Sequence, residues 1–329
     1  VPRALAASRA LACAAALACA SACAPNAPPR ALHELERLAF VAPGEAPLPS
    51  FGTGDPRGRV ERPLLVDLFE TTWADWAHYD ARAFRARRIE LRLPPQVSEG
   101  GDLPASLSLV EARALCAQRG MRVPSAAEWI YCAVGPAALR FPWGAAPQRS
   151  LANTLELGLG RALAVGSFEG GRSPFGCYDM LGNAWEWVEG WVPGIDLAPV
   201  APVASDAAGE AGEAANELSF SSALGGSWLF RTREIHAAPR VAGAIRPTVY
   251  ALSYDPRSIA GDLGVRAVAD AREYLRARAS AWGRGEDVER RVRAVGQRFG
   301  SSALPYLEAW SAEPDAPRAL RWLAEGARP

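Results

Sequence analysis

Hydrophobic and polar positions follow three rhythms along this chain. Toward the C-terminus, Val288, Val292, Val295 and Phe299 recur at helical spacing with arginines on the other face. That pattern predicts an amphipathic helix. The stretches AREYLRARASAW, SALPYLEAW and PRALRWLAEGA share its texture, so residues 271–329 read as a small helical extension. Nearer the middle, three segments carry helix starts. Thr72 precedes WADWAHYDARAF. Ser108 and Glu111 form a capping box before LVEARALCAQR, which stops at Gly120. Ser125 and Glu128 form another before AAEWIYCAV, which stops at Gly135. Such caps satisfy backbone donors that a helix start leaves open. From residue 141 to 270 the periodicity dissolves into short apolar pieces, ALAVGSF and LGGSWLF among them, separated by Gly, Pro, Asn and Asp. Short strands joined by long loops are expected there, giving an α+β domain over residues 35–270. Residues 206–216, DAAGEAGEAAN, read as a solvated loop insertion.

The N-terminus has a different texture. In VPRALAASRALACAAALACASAC, Arg3 and Arg9 precede an uncharged, alanine-rich run and then small residues. This is the layout of a secretory leader, and the run is shorter than the ~18 apolar residues of a membrane span. Ala20-Ser21-Ala22-Cys23 is similar to a bacterial lipobox, so residues 1–23 are read as a lipoprotein-type signal with lipid on Cys23. Cys19 is a second candidate, and ordinary cleavage is the alternative. A Pro-rich linker over residues 24–34 follows. The expected location is the periplasm or the outer membrane of a bacterium, with membrane contact only through that lipid.

Composition narrows the partners. Lys+Arg 36 balance Asp+Glu 36, and every basic residue is arginine. Neutral charge gives no reason to expect nucleic acid. Three of the six cysteines lie in the leader, leaving Cys116, Cys132 and Cys177. Without a CxxC spacing, zinc is not indicated; the three read as buried thiols, or as one disulfide plus one thiol.

One segment combines acids with glycines and aromatics. In GCYDMLGNAWEW (176–187), Asp179 and Glu186 sit in a stretch too irregular for a helix. A hard cation such as calcium takes 6–8 oxygen ligands and mixes carboxylates with backbone carbonyls. Asp179 and Glu186 can supply charge while Gly182 and Ala184 turn carbonyls inward. The plain alternative is a tight turn whose acids accept backbone hydrogen bonds, with Trp185 and Trp187 simply packing.

Laid in order, RVPSAAEWIYCA, FPWG, LAN, AVGSF, FGCYDMLGNAWEW, LGGSW and GDLGVRAV form an ordered set. The set resembles the formylglycine-generating enzyme family, the sulfatase-modifying factor domain. FVAPGEAP and VDLFETTWADWAHY look like its opening strand and first helix. The resemblance implies a C-type-lectin-like α+β fold with little regular structure. It also implies calcium held by Asp179 and Glu186 side chains and by the Gly182 and Ala184 carbonyls. The family's other calcium site would begin at Asn153 and Thr154, but the following loop has no aspartate and only Glu156 as an acid, so that site reads as degenerate. In the family's oxidases two copper-binding cysteines follow the GGS(W/Y) motif; here those positions are Phe230 and Ile235. Neither side chain can ligate a metal, so no copper is expected, and no catalytic residue is assigned. The three histidines, His33, His78 and His236, lack the spacing of an iron-binding helix, so iron is not expected either. The favoured reading is an exported, non-catalytic relative. It would bind a peptide, a glycan or an envelope protein in a groove of Ser227, Trp228, Phe230, Arg231, Ile235 and His236. The alternative is a copper-independent oxidoreductase acting on a peptide or peptide-like metabolite.

Overall fold

The computed structural model describes residues 30–47, 57–90, 101–189, 221–230, 251–254, 257 and 259–329. The leader with Cys19 and Cys23, the 206–216 insertion, and Arg231, Ile235 and His236 lie outside the described residues.

The chain begins with helix α1 (Arg30–Leu35) and four short strands, β1 (Leu38–Val41), β2 (Gly44–Pro47), β3 (Arg57–Val60) and β4 (Leu64–Asp67). Helix α1 corrects the expected linker boundary. Leu32 and Leu35 are fully buried, because an i, i+3 leucine pair gives even a two-turn helix an apolar edge to bury. FVAPGEAP is likewise two strands rather than one. Strand β1 pairs antiparallel with β4, whereas β2 forms a separate hairpin with β3.

All three caps read from the sequence are present. Thr72 opens α2 (Trp73–Tyr79), Ser108 opens α4 (Leu109–Gln118) and Ser125 opens α5 (Ala126–Val134). Each makes the reciprocal capping box. At Thr72 the closing residue is Asp75, whose carboxylate accepts the Thr72 N–H at 3.1 Å. The helix expected to run on through Phe84 breaks at Asp80, where the Asp80 carboxylate accepts the Ala83 N–H and starts α3 (Ala81–Glu90). An aspartate that offers the backbone an alternative hydrogen bond stops one helix and caps the next.

Five strands complete the sheets: β5 (Trp185–Val188), β6 (Ser221–Leu224), β7 (Ala251–Tyr254), β8 (Leu263–Gly264) and β9 (Val268–Asp270). Strand order is β1-β4-β9 in one sheet and β7-β6-β5-β8 in the other. Strand β5 is antiparallel to β6 and parallel to β8, with Glu186 opposite Leu224 on one side and Gly264 on the other. Long loops and single 3-10 turns fill the interval between α5 and β5. The piece ALAVGSF forms no strand. The result is the mixed helix-and-sheet architecture expected, with a C-terminal helical part.

That part comprises α6 (Ala271–Arg278), α7 (Glu286–Phe299), α8 (Leu304–Ser311) and α9 (Arg318–Ala327). Val288, Val292, Val295 and Phe299 are all buried, as their spacing predicts. They share one hydrophobic core with Leu32, Trp76, Leu107 and Trp187 from the rest of the chain. Phe40 of β1 packs at 5.8 Å from Phe299 and 5.9 Å from Tyr306. Arg291 forms a two-pronged pair with Glu36 at 2.6 Å.

Candidate functional site

Strand β5 reads WEWV, and all four of its residues are buried. A strand covered on both faces normally alternates apolar with apolar. The carboxylate in the middle is therefore the anomaly that marks the site. Glu186 has no exposed surface. Arg266 meets it with Nε at 3.0 Å from Oε2 and Nη2 at 2.6 Å from Oε1, and the Trp129 indole N–H donates to Oε2 at 2.6 Å. Arg266 is itself buried and gives two further donors to the carbonyls of Asp67, at 2.9 Å, and Tyr178, at 2.7 Å. Burial works against the guanidinium charge, yet Glu186 beside it holds its pKa above the ordinary arginine value.

The preceding turn is bent by two non-glycine residues in the left-handed region, Asp179 at φ 56° and Asn183 at φ 62°, with Gly182 at φ 82° between them. Gly182 is required for a second reason: a Cβ there would sit 2.5 Å from the Asn153 carbonyl oxygen. Asp179 accepts the Gly166 N–H at 2.6 Å. Burial pushes its carboxyl up to about 6, against the pull of that N–H and of Arg266.

A third buried acid was not found from the sequence. Glu70 accepts the Asn183 side-chain N–H at 2.6 Å and the Ala184 backbone N–H at 2.9 Å. Burial and then the charges of Asp179 and Glu186 raise its pKa well above the usual carboxylate value. Three acids thus face one arginine. A further positive charge or a proton is needed to balance them.

That deficit is the test of whether calcium suits this place. Asp179 and Glu186 are brought into one buried cluster, and the chemistry of the donors is oxygen throughout. Both Glu186 oxygens already accept from Arg266. Among the described residues no group of three His, Cys, Asp or Glu side chains forms a ready metal cage. A calcium here would share Glu186 with Arg266 and draw its other ligands from Asp179, the Gly182 and Ala184 carbonyls and water.

The groove motif adjoins this turn. The Gly182 N–H donates to the Gly225 carbonyl at 3.0 Å and the Trp228 N–H to the Asn183 carbonyl at 3.2 Å. Ser227 is fully buried, and its hydroxyl donates to Asp262. Trp228 and Phe230 are half-buried, while Leu229 is 53% exposed. Phe230 stands edge-on to Trp185 with ring centres 5.2 Å apart, and its carbonyl accepts the Leu155 N–H at 2.9 Å. The structure therefore brings Ser227, Trp228 and Phe230 together beside the acidic turn. The described cysteines are all buried and free. Burial pushes the thiol of Cys116 up to about 12, that of Cys177 up to about 11, and that of Cys132 well above its ordinary value. Thiols of that kind supply little thiolate.

Comparison with known proteins identifies the family of the chain. Residues 44–271 match the sulfatase-modifying factor enzyme 1-like domain. A hercynine oxygenase of Mycolicibacterium smegmatis is 42% identical over 94 residues, 27% of this chain and 22% of that protein. The formylglycine-generating enzyme of Bos taurus is 34% identical over 95 residues, 25% of each chain. The inactive C-alpha-formylglycine-generating enzyme 2 of the same species is 34% identical over 89 residues, 24% of this chain and 29% of that one. The chain thus spans about a quarter of the length of these relatives. Among solved structures, CarF covers 71% of this chain and 97% of its own, at 19% identity and a TM-score of 0.46. With a domain match running over 44–271 of its 329 residues, the chain belongs to the formylglycine-generating enzyme, or sulfatase-modifying factor, family.

Proposed function

We propose that this protein is an exported, non-oxidase member of its family that binds a peptide, a glycan or another envelope protein. Trp228 and Phe230 form the binding floor, with the buried Ser227 fixed beneath them by its bond to Asp262. Arg231, Ile235 and His236 are assigned to the same groove by sequence alone. Phe230 carries the proposal: counted from the GGSW motif it falls where the family resemblance would put a copper thiolate, and its ring is packed against Trp185. A hydrocarbon ring supplies no soft ligand for copper. A bovine relative that is itself named inactive is consistent with this reading. Purified protein titrated with monovalent copper is expected to retain none after desalting, and to leave a cysteine-containing sulfatase peptide unoxidised. Stoichiometric copper together with aldehyde formation would refute it.

A second reading rests on the relatives named hercynine oxygenase. The chain would then be a copper-independent oxidoreductase acting on a peptide or peptide-like metabolite. Oxygen consumption that His236→Ala abolishes would establish this reading against the first.

Structural calcium belongs to the same proposal, supported by the excess of acid over arginine around Glu186. Adding calcium to chelator-treated protein is expected to raise the melting temperature by several degrees, about 2 kcal/mol of linkage when calcium is well above its dissociation constant. The double variant Asp179→Asn, Glu186→Gln should lose that response. A parent protein whose melting ignores calcium would remove the ion from the proposal.

Export is tested separately at the N-terminus. The protein expressed in a bacterial host is expected to partition into detergent, and Cys23→Ala to return it to the aqueous phase. Aqueous partitioning of the parent would rule out the lipid.

A further inference from the structure

Helix α3 has one face in the core and one that meets nothing. Phe84 stands edge-on to Trp73 and Trp76, and Arg87 is buried with Nη2 on Glu111 at 2.5 Å. The opposite face carries Arg82, Arg85, Ala86 and Ile89, at i, i+3, i+4 and i+7, and all four are exposed. Ile89 is 75% exposed, more than any other large hydrophobic side chain among the described residues.

The two arginines are bare. Neither Arg82 nor Arg85 has an acidic partner among the described residues, and Asp80, the acid at the start of the helix, is engaged in capping it. By contrast, Arg272, Arg293 and Arg328 on the C-terminal helices each meet a glutamate. An exposed isoleucine alone needs no explanation. Set one turn beyond two unpaired arginines, it completes a basic and apolar helix face of the kind that lies in a membrane interface.

The chain enters the fold beside that face. Arg30 donates from Nη2 to Asp75 at 2.7 Å and lies over the Tyr79 ring at 5.9 Å, and the Tyr79 hydroxyl donates to Glu34. Helix α1 is thereby tied to the end of α2, and α3 follows directly after Asp80. Cys23, where the lipid is proposed, precedes Arg30 by seven positions, which span at most about 25 Å when fully extended. The ten residues of α3 measure about 15 Å. A lipid on Cys23 therefore holds α3 within reach of the headgroups.

We infer that the Arg82–Arg85–Ile89 face of α3 rests on an anionic phospholipid membrane, with the arginines on headgroup phosphates and Ile89 at the headgroup boundary. The inference rests on the proposed lipid and extends it: the anchor sets how far the domain stands from the membrane, and α3 sets which side faces it. Three side chains bind too weakly to hold a free protein there. On a tethered one the encounter is intramolecular, and each arginine multiplies the contact by about fivefold.

The test uses the processed, lipidated chain with a fluorophore on Ala86→Cys; Cys116, Cys132 and Cys177 are buried and stay unlabelled. In vesicles of phosphatidylglycerol and phosphatidylcholine in equal parts, a headgroup-attached quencher is expected to quench the label. Pure phosphatidylcholine or high salt should relieve the quenching. Arg82→Gln with Arg85→Gln should lower the contact equilibrium by about 30-fold. Arg149→Gln with Arg161→Gln, the same loss of charge at two other exposed arginines, should leave it intact. Detergent partitioning reads the anchor by itself: a parent that stays aqueous removes the anchor and this inference with it. A parent that partitions but is unquenched, or equally quenched in both lipid mixtures, keeps the anchor and overturns the role of α3. So does a control variant that loses quenching as fully as the α3 variant.

Discussion

Arg266→Met is expected to cost the protein about 3–5 kcal/mol of stability, the usual effect of stranding a buried charge by removing its partner. Glu186 lies on a central strand with no route to water and relies on Arg266 for two of its three charge-stabilising hydrogen bonds. Asp179 and Glu70 add negative charge to the same space. The loss also frees the Asp67 and Tyr178 carbonyls, which Arg266 now ties together across the domain. Urea unfolding measures the effect. The double variant Arg266→Met, Glu186→Gln should be more stable than Arg266→Met alone, because the amide carries no charge and its oxygen can still accept from Trp129. The single variant should also depend more steeply on calcium, the only other positive charge proposed for the cluster. An Arg266→Met protein that unfolds within about 1 kcal/mol of the parent would mean that the acids are balanced in some other way.

The sequence made some of this legible and hid the rest for identifiable reasons. Capping boxes are local: Ser125 and Glu128 are three residues apart and announce α5 without help from the fold. Thr72 was readable as a cap, but Asp75 was not read as its closing partner because the usual residue there is glutamate or glutamine. The amphipathic face of α7 was legible because burial of Val288, Val292, Val295 and Phe299 follows from helical geometry alone. Asp179 and Glu186 were found because they lie seven positions apart in one motif. Glu70 and Arg266 were not, because each reaches the cluster from far along the chain: Glu70 is 113 residues from Asn183, and Arg266 is 80 residues from Glu186. The pairings of β8 with β5 and of β9 with β4 bring the segment with Arg266 alongside the acids. An arginine in GDLGVRAV offers no local sign that it is buried.

The second large effect is expected in the C-terminal helices, where Gly296→Ala should destabilise the protein by about 1–3 kcal/mol although alanine is the better helix former. In an exposed helix the same change would stabilise by about 1 kcal/mol, so the sign itself is informative. The reason is the crossing of α7 and α9. A Cβ at Gly296 would lie 2.2 Å from the Leu323 carbonyl oxygen, and one at Gly326 would lie 2.0 Å from the Arg293 carbonyl oxygen. Each glycine faces the main chain of the other helix. Backbone atoms, unlike a flexible side-chain tip, cannot yield without moving the whole helix. That movement would carry Phe299 away from Phe40 and strain the Arg291–Glu36 pair, contacts that join these helices to the first strand of the domain. Because the core is continuous from α7 and α9 to Trp187, thermal unfolding of Gly296→Ala is expected to remain a single transition at lower temperature. A second, earlier transition confined to the helices would instead mean that the extension unfolds independently of the domain. A rise in melting temperature would mean that the helices cross with more space than their glycines indicate.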